Sequence, residues 1–161
     1  MISADPVVTR LRDISPSAID SLFKRHGLRL TRVGDDEDIP ASYWGAPEAG
    51  VIATTIYARA DTPVHSILHT ACHVLCMDEA RRSQLHTDCG GTDEEECAVC
   101  YLQAFVADQL DGYDRQRLWA DMDAWGYSFR LGSARAWFEQ DAEDARAWLL
   151  ARALIPATSP G

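Results

Sequence analysis

The sequence has little positive charge and almost no lysine. Its 161 residues include 15 basic and 25 acidic side chains, which give a formal net charge of -10. The pI is near 4.8, and Lys24 is the single lysine. Proteins that bind a phosphate backbone draw much of their affinity from Lys and Arg. We therefore expect no nucleic-acid partner.

Long apolar runs are also missing. No stretch approaches the roughly 20 apolar residues that cross a bilayer. The first residues, MISADPVVTRLRD, lack the apolar region of a signal peptide. We therefore expect a cytoplasmic protein with no membrane partner. The length fits a single domain, 1–161, with its own apolar core.

Cysteine is too sparse for a disulfide framework. The cysteines are Cys72, Cys76, Cys89, Cys97 and Cys100. In a reducing compartment such thiols stay free, and most pack in the interior. Cys97 and Cys100 match the C-x-x-C spacing of zinc-ribbon and thioredoxin-type sites, but no second pair accompanies them. We interpret the cysteines as core residues.

Histidine, in contrast, is concentrated at one place. His65, His69 and His73 are spaced four residues apart, so on a helix they share one face, where an adjacent pair can bind one metal ion. His65 and His73 lie about 12 Å apart along such a helix, too far to bind the same ion. The pair is either His65/His69 or His69/His73. The alternative is a buried helix whose histidines are satisfied by hydrogen bonds.

The segments beside this helix supply a start signal and acidic residues. Thr62-Pro63 predicts a helix N-cap followed by proline in the first turn. Thr92-Asp-Glu-Glu-Glu96 predicts the start of a second helix, in which Thr92 caps and Glu95 reaches back in a capping box. The first-turn acids offer a third metal ligand. His86 could also reach the metal, but we expect it in an exposed loop.

Strand signals come first in the chain and helical signals follow. Strands are predicted at 28–33 and 50–57, with a weaker one at 42–45. Helices are predicted at 16–26, 63–78, 93–110, 114–125 and 133–154, the last with a break near Gln140, and 79–91 is predicted as a loop. Trp119, Trp125, Trp137 and Trp148 are predicted to pack the C-terminal helices, with an aromatic ligand pocket as the alternative. The fold class is therefore α+β, with a small twisted sheet packed on the histidine helix.

This order of elements resembles the ImmA/IrrE family of zincin-like metallopeptidases from about Pro16 to Leu110. His69-Thr-Ala-Cys-His73 lies where the family has H-E-x-x-H, and Glu96-Cys-Ala-Val-Cys-Tyr101 matches the family's downstream E-A-x-x-F-A stretch. The resemblance implies a zincin-like core at 16–110, a C-terminal helical part at 111–155 and a tail at 156–161.

The resemblance also implies a ligand set. One divalent metal ion, zinc, would be held by His69, His73 and Glu96, with Glu95 or Glu94 as fallback for the third ligand. His65 would lie near the metal without binding it.

Thr70 departs from the family pattern, because the family has at this position the Glu that takes a proton from zinc-bound water. Our first hypothesis is a degenerate metallopeptidase that binds metal and acts in binding or regulation, with a protein or peptide as partner. The second is an active hydrolase whose base comes from Glu79, Glu94 or Glu95. The third is a two-histidine, one-carboxylate enzyme using Fe(II) or Mn(II).

Overall fold

The fold combines a small mixed sheet with a larger set of helices, so the α+β prediction is confirmed. A computed structural model describes residues 7–157, which leaves 158–161 of the predicted tail outside the described residues. The α-helices are α1 (Pro16–Arg25), α2 (Val64–Cys76), α3 (Glu79–Gln84), α4 (Asp93–Asp108), α5 (Arg115–Trp125), α6 (Ala134–Gln140) and α7 (Glu143–Ala151), and the strands are β1 (Arg29–Arg32), β2 (Gly50–Ile52) and β3 (Thr55–Ala58). A short 3₁₀ helix, Leu11–Asp13, precedes α1.

The sheet has the strand order β1-β3-β2. β1 runs parallel to β3, with Leu30 opposite Ile56, and β2 runs antiparallel to β3, with Val51 opposite the same residue. The side chain of Ile56 is fully buried. The sheet packs on α2 through β3 and on α1 through β1, so β3 is the strand that ties the sheet to the histidine helix.

The segment predicted as one strand at 50–57 is a tight hairpin, so that prediction is wrong in detail. β2 ends at Ile52 and β3 begins at Thr55, and Ala53 in the turn has a φ of 53°. Such turns usually carry Asn, Asp or Gly, and this one carries none of them. The predicted strand at 42–45 is reduced to an isolated bridge between Ser42 and Gly50.

Two helix starts also differ from the prediction. Pro63, rather than Thr62, is the N-cap of α2, because the Thr62 hydroxyl accepts a hydrogen bond from the backbone N–H of Arg59 at 2.8 Å. The predicted loop at 79–91 contains α3, whose N-cap Asp78 accepts from the N–H of Arg81. Six residues are too few to show helical periodicity in the sequence.

The start of α4 has the predicted cap but not the full capping box. The Thr92 hydroxyl accepts from the N–H of Glu95 at 3.2 Å. The Glu95 carboxylate does not return to Thr92; it is buried and accepts from Arg81 at 2.6 and 3.1 Å. This ion pair joins α3 to α4 beside the site, and a buried charge needs such a partner.

The core centres on α2, which packs along α4, while α5 and α7 pack against the other faces of α4. Cys72 and Cys76 are buried, as predicted, whereas Cys97 is exposed and Cys89 and Cys100 are half-buried. The break near Gln140 is confirmed, since α6 ends there and α7 begins at Glu143. Among residues 7–157, no helix combines the length and apolar character needed to span a membrane.

Gly50 fixes the path of the segment that leads into β2, and replacing it should destabilise the fold. A Cβ on Gly50 would lie 1.8 Å from the Pro40 carbonyl oxygen, a backbone atom. Gly50→Ala should therefore lower the free energy of unfolding by about 2–3 kcal/mol in urea titrations. Gly34→Ala is the matched control, because its Cβ would meet only the flexible Glu37 side chain. Equal losses in the two variants would contradict this account.

Candidate metal centre

The site is built where the histidine face of α2 meets the first turn of α4. The Nε2 atom of His69 lies 2.8 Å from one carboxylate oxygen of Glu96, and the Nε2 atom of His73 lies 2.9 Å from the other. The two imidazoles share one face because they are one turn apart, and their ring centroids are 4.9 Å apart. The structure thus brings together the three residues predicted as ligands.

Of the consecutive glutamates at the start of α4, only Glu96 faces the histidines. Glu95 is paired with Arg81, and Glu94, unlike Glu96, does not line the cleft beside the histidines. The spacing explains this choice, because successive helical residues point about 100° apart and only one of three neighbours can face a given partner. Neither fallback ligand, Glu95 or Glu94, is placed like Glu96.

The Glu96 carboxylate and the His69 imidazole shift each other's pKa values. Burial raises the pKa of Glu96, but hydrogen bonds from His69 and His73 outweigh it and hold that pKa well below its usual range. For His69, burial lowers the pKa, whereas contacts with Cys100 and Glu96 raise it well above the ordinary value. The carboxylate is therefore anionic and held between two imidazole nitrogens.

A buried amide orients His69. The Oε1 atom of Gln103 lies 2.7 Å from Nδ1 of His69, and its Nε2 donates to the backbone carbonyl of His65 at 3.1 Å. Because the amide donates to the carbonyl, its oxygen accepts from the Nδ1–H of His69. The Nε2–H of the same ring donates to Glu96, so the imidazole carries both protons, in agreement with its raised pKa. Gln103 is not among the residues predicted from the sequence. The signal for it is its position seven residues after Glu96, on the same face of an otherwise apolar helix.

His65 lies deeper than the other two histidines and does not take part in the contact with Glu96. It is fully buried, and neither ring nitrogen has a hydrogen-bond partner. Its ring packs edge-on against Trp125 at 5.4 Å and Tyr127 at 5.7 Å between centroids. Burial, followed by the charges of His69 and Arg10, lowers its pKa to about 3. It is therefore a neutral packing residue behind the site.

His86 is outside the site. It is exposed, and its Nδ1 lies 2.7 Å from the Thr87 hydroxyl. Its backbone forms an isolated bridge with Ile52 beside the sheet. The expectation of a loop histidine is confirmed.

A cleft of about 820 Å³ opens beside the histidines. Thr70 and Trp125 line it, so this tryptophan does more than pack the C-terminal helices. Its indole N–H donates to Glu48 at 2.9 Å. Besides Glu96, the acidic residues along the cleft are Glu48 and Asp88. Glu79, Glu94 and Glu95, the residues considered as relocated bases, do not line it.

A half-buried cysteine joins the cluster from the side of α4. The ligand atoms of His69, Glu96 and Cys100 all lie within 4.8 Å of one another. From the sequence, Cys100 is interpreted as a core residue; its position one turn after Glu96 is the signal that could have identified it. The cluster as a whole therefore offers nitrogen, oxygen and sulfur donors.

Comparisons with protein families, with curated proteins and with solved structures found no match.

His65 should make the fold sensitive to acid. Its folded pKa of about 3 lies below the ordinary value of 6.5, so the unfolded chain binds a proton that the folded chain excludes. This contribution to stability is present above pH 6.5 and is lost as the pH falls towards 3, by up to about 1.4 kcal/mol per pH unit. His65→Phe should flatten the dependence of unfolding free energy on pH between 6.5 and 4.5, measured by urea titration. An unchanged slope would contradict the assignment of a buried neutral imidazole.

Proposed function

We propose that this chain is a zincin-like metal-binding protein in which His69, His73 and Glu96 hold one divalent ion, zinc. In this proposal the site serves binding or regulation rather than peptide hydrolysis. The observation that carries it is the Glu96 carboxylate, which spans the Nε2 atoms of both histidines at 2.8 and 2.9 Å. The resemblance to the ImmA/IrrE family points to the same three residues.

The donor set suits zinc. Imidazole nitrogen and carboxylate oxygen are common zinc ligands, and adjacent ligand atoms of a tetrahedral zinc ion stand about 3.3 Å apart. The present N–O distances are 2.8 and 2.9 Å, so each nitrogen and the carboxylate oxygen it contacts would move apart by about half an ångström to admit the ion. Gln103 supports the fit, because an acceptor on the outer nitrogen of a ligating histidine fixes its tautomer and orientation.

The residue at the family's base position and the environments of Glu79 and Glu95 argue against ordinary peptide hydrolysis. Thr70 lines the cleft where a peptidase would place a glutamate, and a hydroxyl does not act as a general base near neutral pH. The Glu79 side chain is 90% exposed and lies beside Arg82, while Glu95 is paired with Arg81. A hydrolase would have to recruit Glu48 or Asp88 instead.

The cleft itself supports a binding role with a protein or peptide as partner. Its wall includes Tyr43 and Trp44, which are 57% and 80% exposed. Exposed aromatic side chains are enriched where proteins bind partners. The cleft thus joins an aromatic wall to the metal-binding residues.

Metal content tests the ligand assignment. The purified protein should contain about one equivalent of zinc by elemental analysis, and His69→Ala and His73→Ala should each reduce it to background because each removes one of three ligands. His86→Ala, in the loop outside the site, should retain the metal. Metal retained in His69→Ala would overturn the proposal, whereas iron or manganese in place of zinc would favour the two-histidine, one-carboxylate enzyme.

Proteolysis assays test the proposed loss of activity. Zinc-loaded protein should cleave casein no faster than the same protein with chelator, since a missing general base typically costs about 10² to 10⁴ in rate. Metal-dependent cleavage that is lost in Glu48→Gln and kept in Glu94→Gln would show a hydrolase with a relocated base. Glu94 is the matched control because it lies outside the cleft.

A further inference from the structure

We infer that the thiolate of Cys100 is a fourth protein ligand, so that His69, His73, Glu96 and Cys100 form a closed metal centre. This inference rests on the proposed function, because it presupposes that a metal is bound. It changes the character of the site, since four protein ligands leave a tetrahedral zinc ion no position for water.

The first support is the geometry of the cluster. The sulfur of Cys100 lies within 4.8 Å of the ligand atoms of both His69 and Glu96. Among the residues described, this is the group whose His, Cys and acidic atoms approach one another closely enough for a shared ion. His73 is not a member of this group, but its Nε2 atom lies 2.9 Å from the second Glu96 oxygen, so it would move towards the ion on binding.

The second support is a symmetry between the two helices. His69 and His73 are one turn apart on α2, and Glu96 and Cys100 are one turn apart on α4. Residues four apart lie on the same helix face, and the two helices pack against each other. Each helix therefore contributes two ligand-bearing side chains at the same level of their interface.

The proposed site is not a C-x-x-C site, because Cys97 does not belong to it. Cys97 is exposed, whereas Cys100 is half-buried. Cys97 takes no part in the group of His69, Glu96 and Cys100. Of the two cysteines in the C-x-x-C motif, Cys100 therefore lies beside the histidines and Cys97 lies at the surface.

The chemistry favours sulfur in this position. Thiolate binds zinc more strongly than magnesium or calcium, which prefer oxygen ligands, so Cys100 would select zinc from among common divalent ions. On binding, the thiol proton is released to solvent and the sulfur forms the bond to the metal. Cys100 does not line the cleft, so its sulfur would approach the ion from the α4 side.

A closed centre also accounts for Thr70. A zinc ion without bound water has no proton for a neighbouring glutamate to remove. Position 70 then carries no catalytic requirement, although its residue lines the cleft beside both histidines. The metal would act as a cross-link between α2 and α4.

Cobalt substitution tests the inference. The chelator-treated full-length protein is titrated with Co(II), and the near-ultraviolet thiolate-to-cobalt charge-transfer band is recorded together with the visible bands. Wild type and Cys97→Ser should both show the charge-transfer band. Cys100→Ser should lose it, keep the visible cobalt bands from the remaining ligands, and bind the ion at least tenfold more weakly.

A measurement on the wild-type chain covers the case in which Cys100→Ser fails to fold. Alkylation by iodoacetamide, mapped by mass spectrometry, should be slowed at Cys100 by added zinc and restored by chelator, whereas alkylation of Cys97 should not respond. Equal responses of the two cysteines would overturn the inference.

The outcomes separate the two proposals. Cobalt bound through His69 without a charge-transfer band, or with a band that persists in Cys100→Ser, overturns the fourth ligand and leaves the three-ligand site standing. No cobalt binding in the wild type overturns both.

Discussion

The contact between α2 and α4 is the interaction on which the rest of this structure depends. At its centre the Glu96 carboxylate accepts from both His69 and His73, and two turns further along α4 Gln103 joins His69 to the backbone of His65. Polar groups in a packed interface are costly unless each finds its partner. The helices can therefore slide little against each other without leaving a charge or an amide unpaired.

This helix pair carries the proposed metal ligands, while loops from other parts of the chain form the cleft. Tyr43 and Trp44 come from the segment before β2, and Trp125 and Tyr127 come from the end of α5. The hydrogen bond from Trp125 to Glu48 joins these two walls. Sites on helices hold ligand geometry well, and loops determine what binds beside them. Under the proposed binding role, a change of partner would thus require changes in the walls rather than at the histidines.

Patterns within one helix were predictable from the sequence, but contacts between elements were not. The spacing of His69 and His73 and the acidic start of α4 depend on local geometry, which periodicity reports directly. The Ala53 turn was missed because it lacks the usual turn residues. Glu95 was misassigned because Arg81, its partner, lies on a helix too short to predict. Such pairings depend on packing, which a single sequence does not reveal.

The roles of Gln103 and Cys100 show where the limit of sequence reasoning lies. Cys100 follows Glu96 by four residues and Gln103 follows it by seven, so the three side chains form a polar stripe on one face of an otherwise apolar part of α4. Buried polar side chains of this kind are stable only when other polar groups pack against them. The histidines of α2 provide those groups. The two stripes can be recognised as partners only when α2 and α4 are known to pack against each other. The position of one helix along the other decides which atoms meet, and the sequence pattern of each helix does not contain that information.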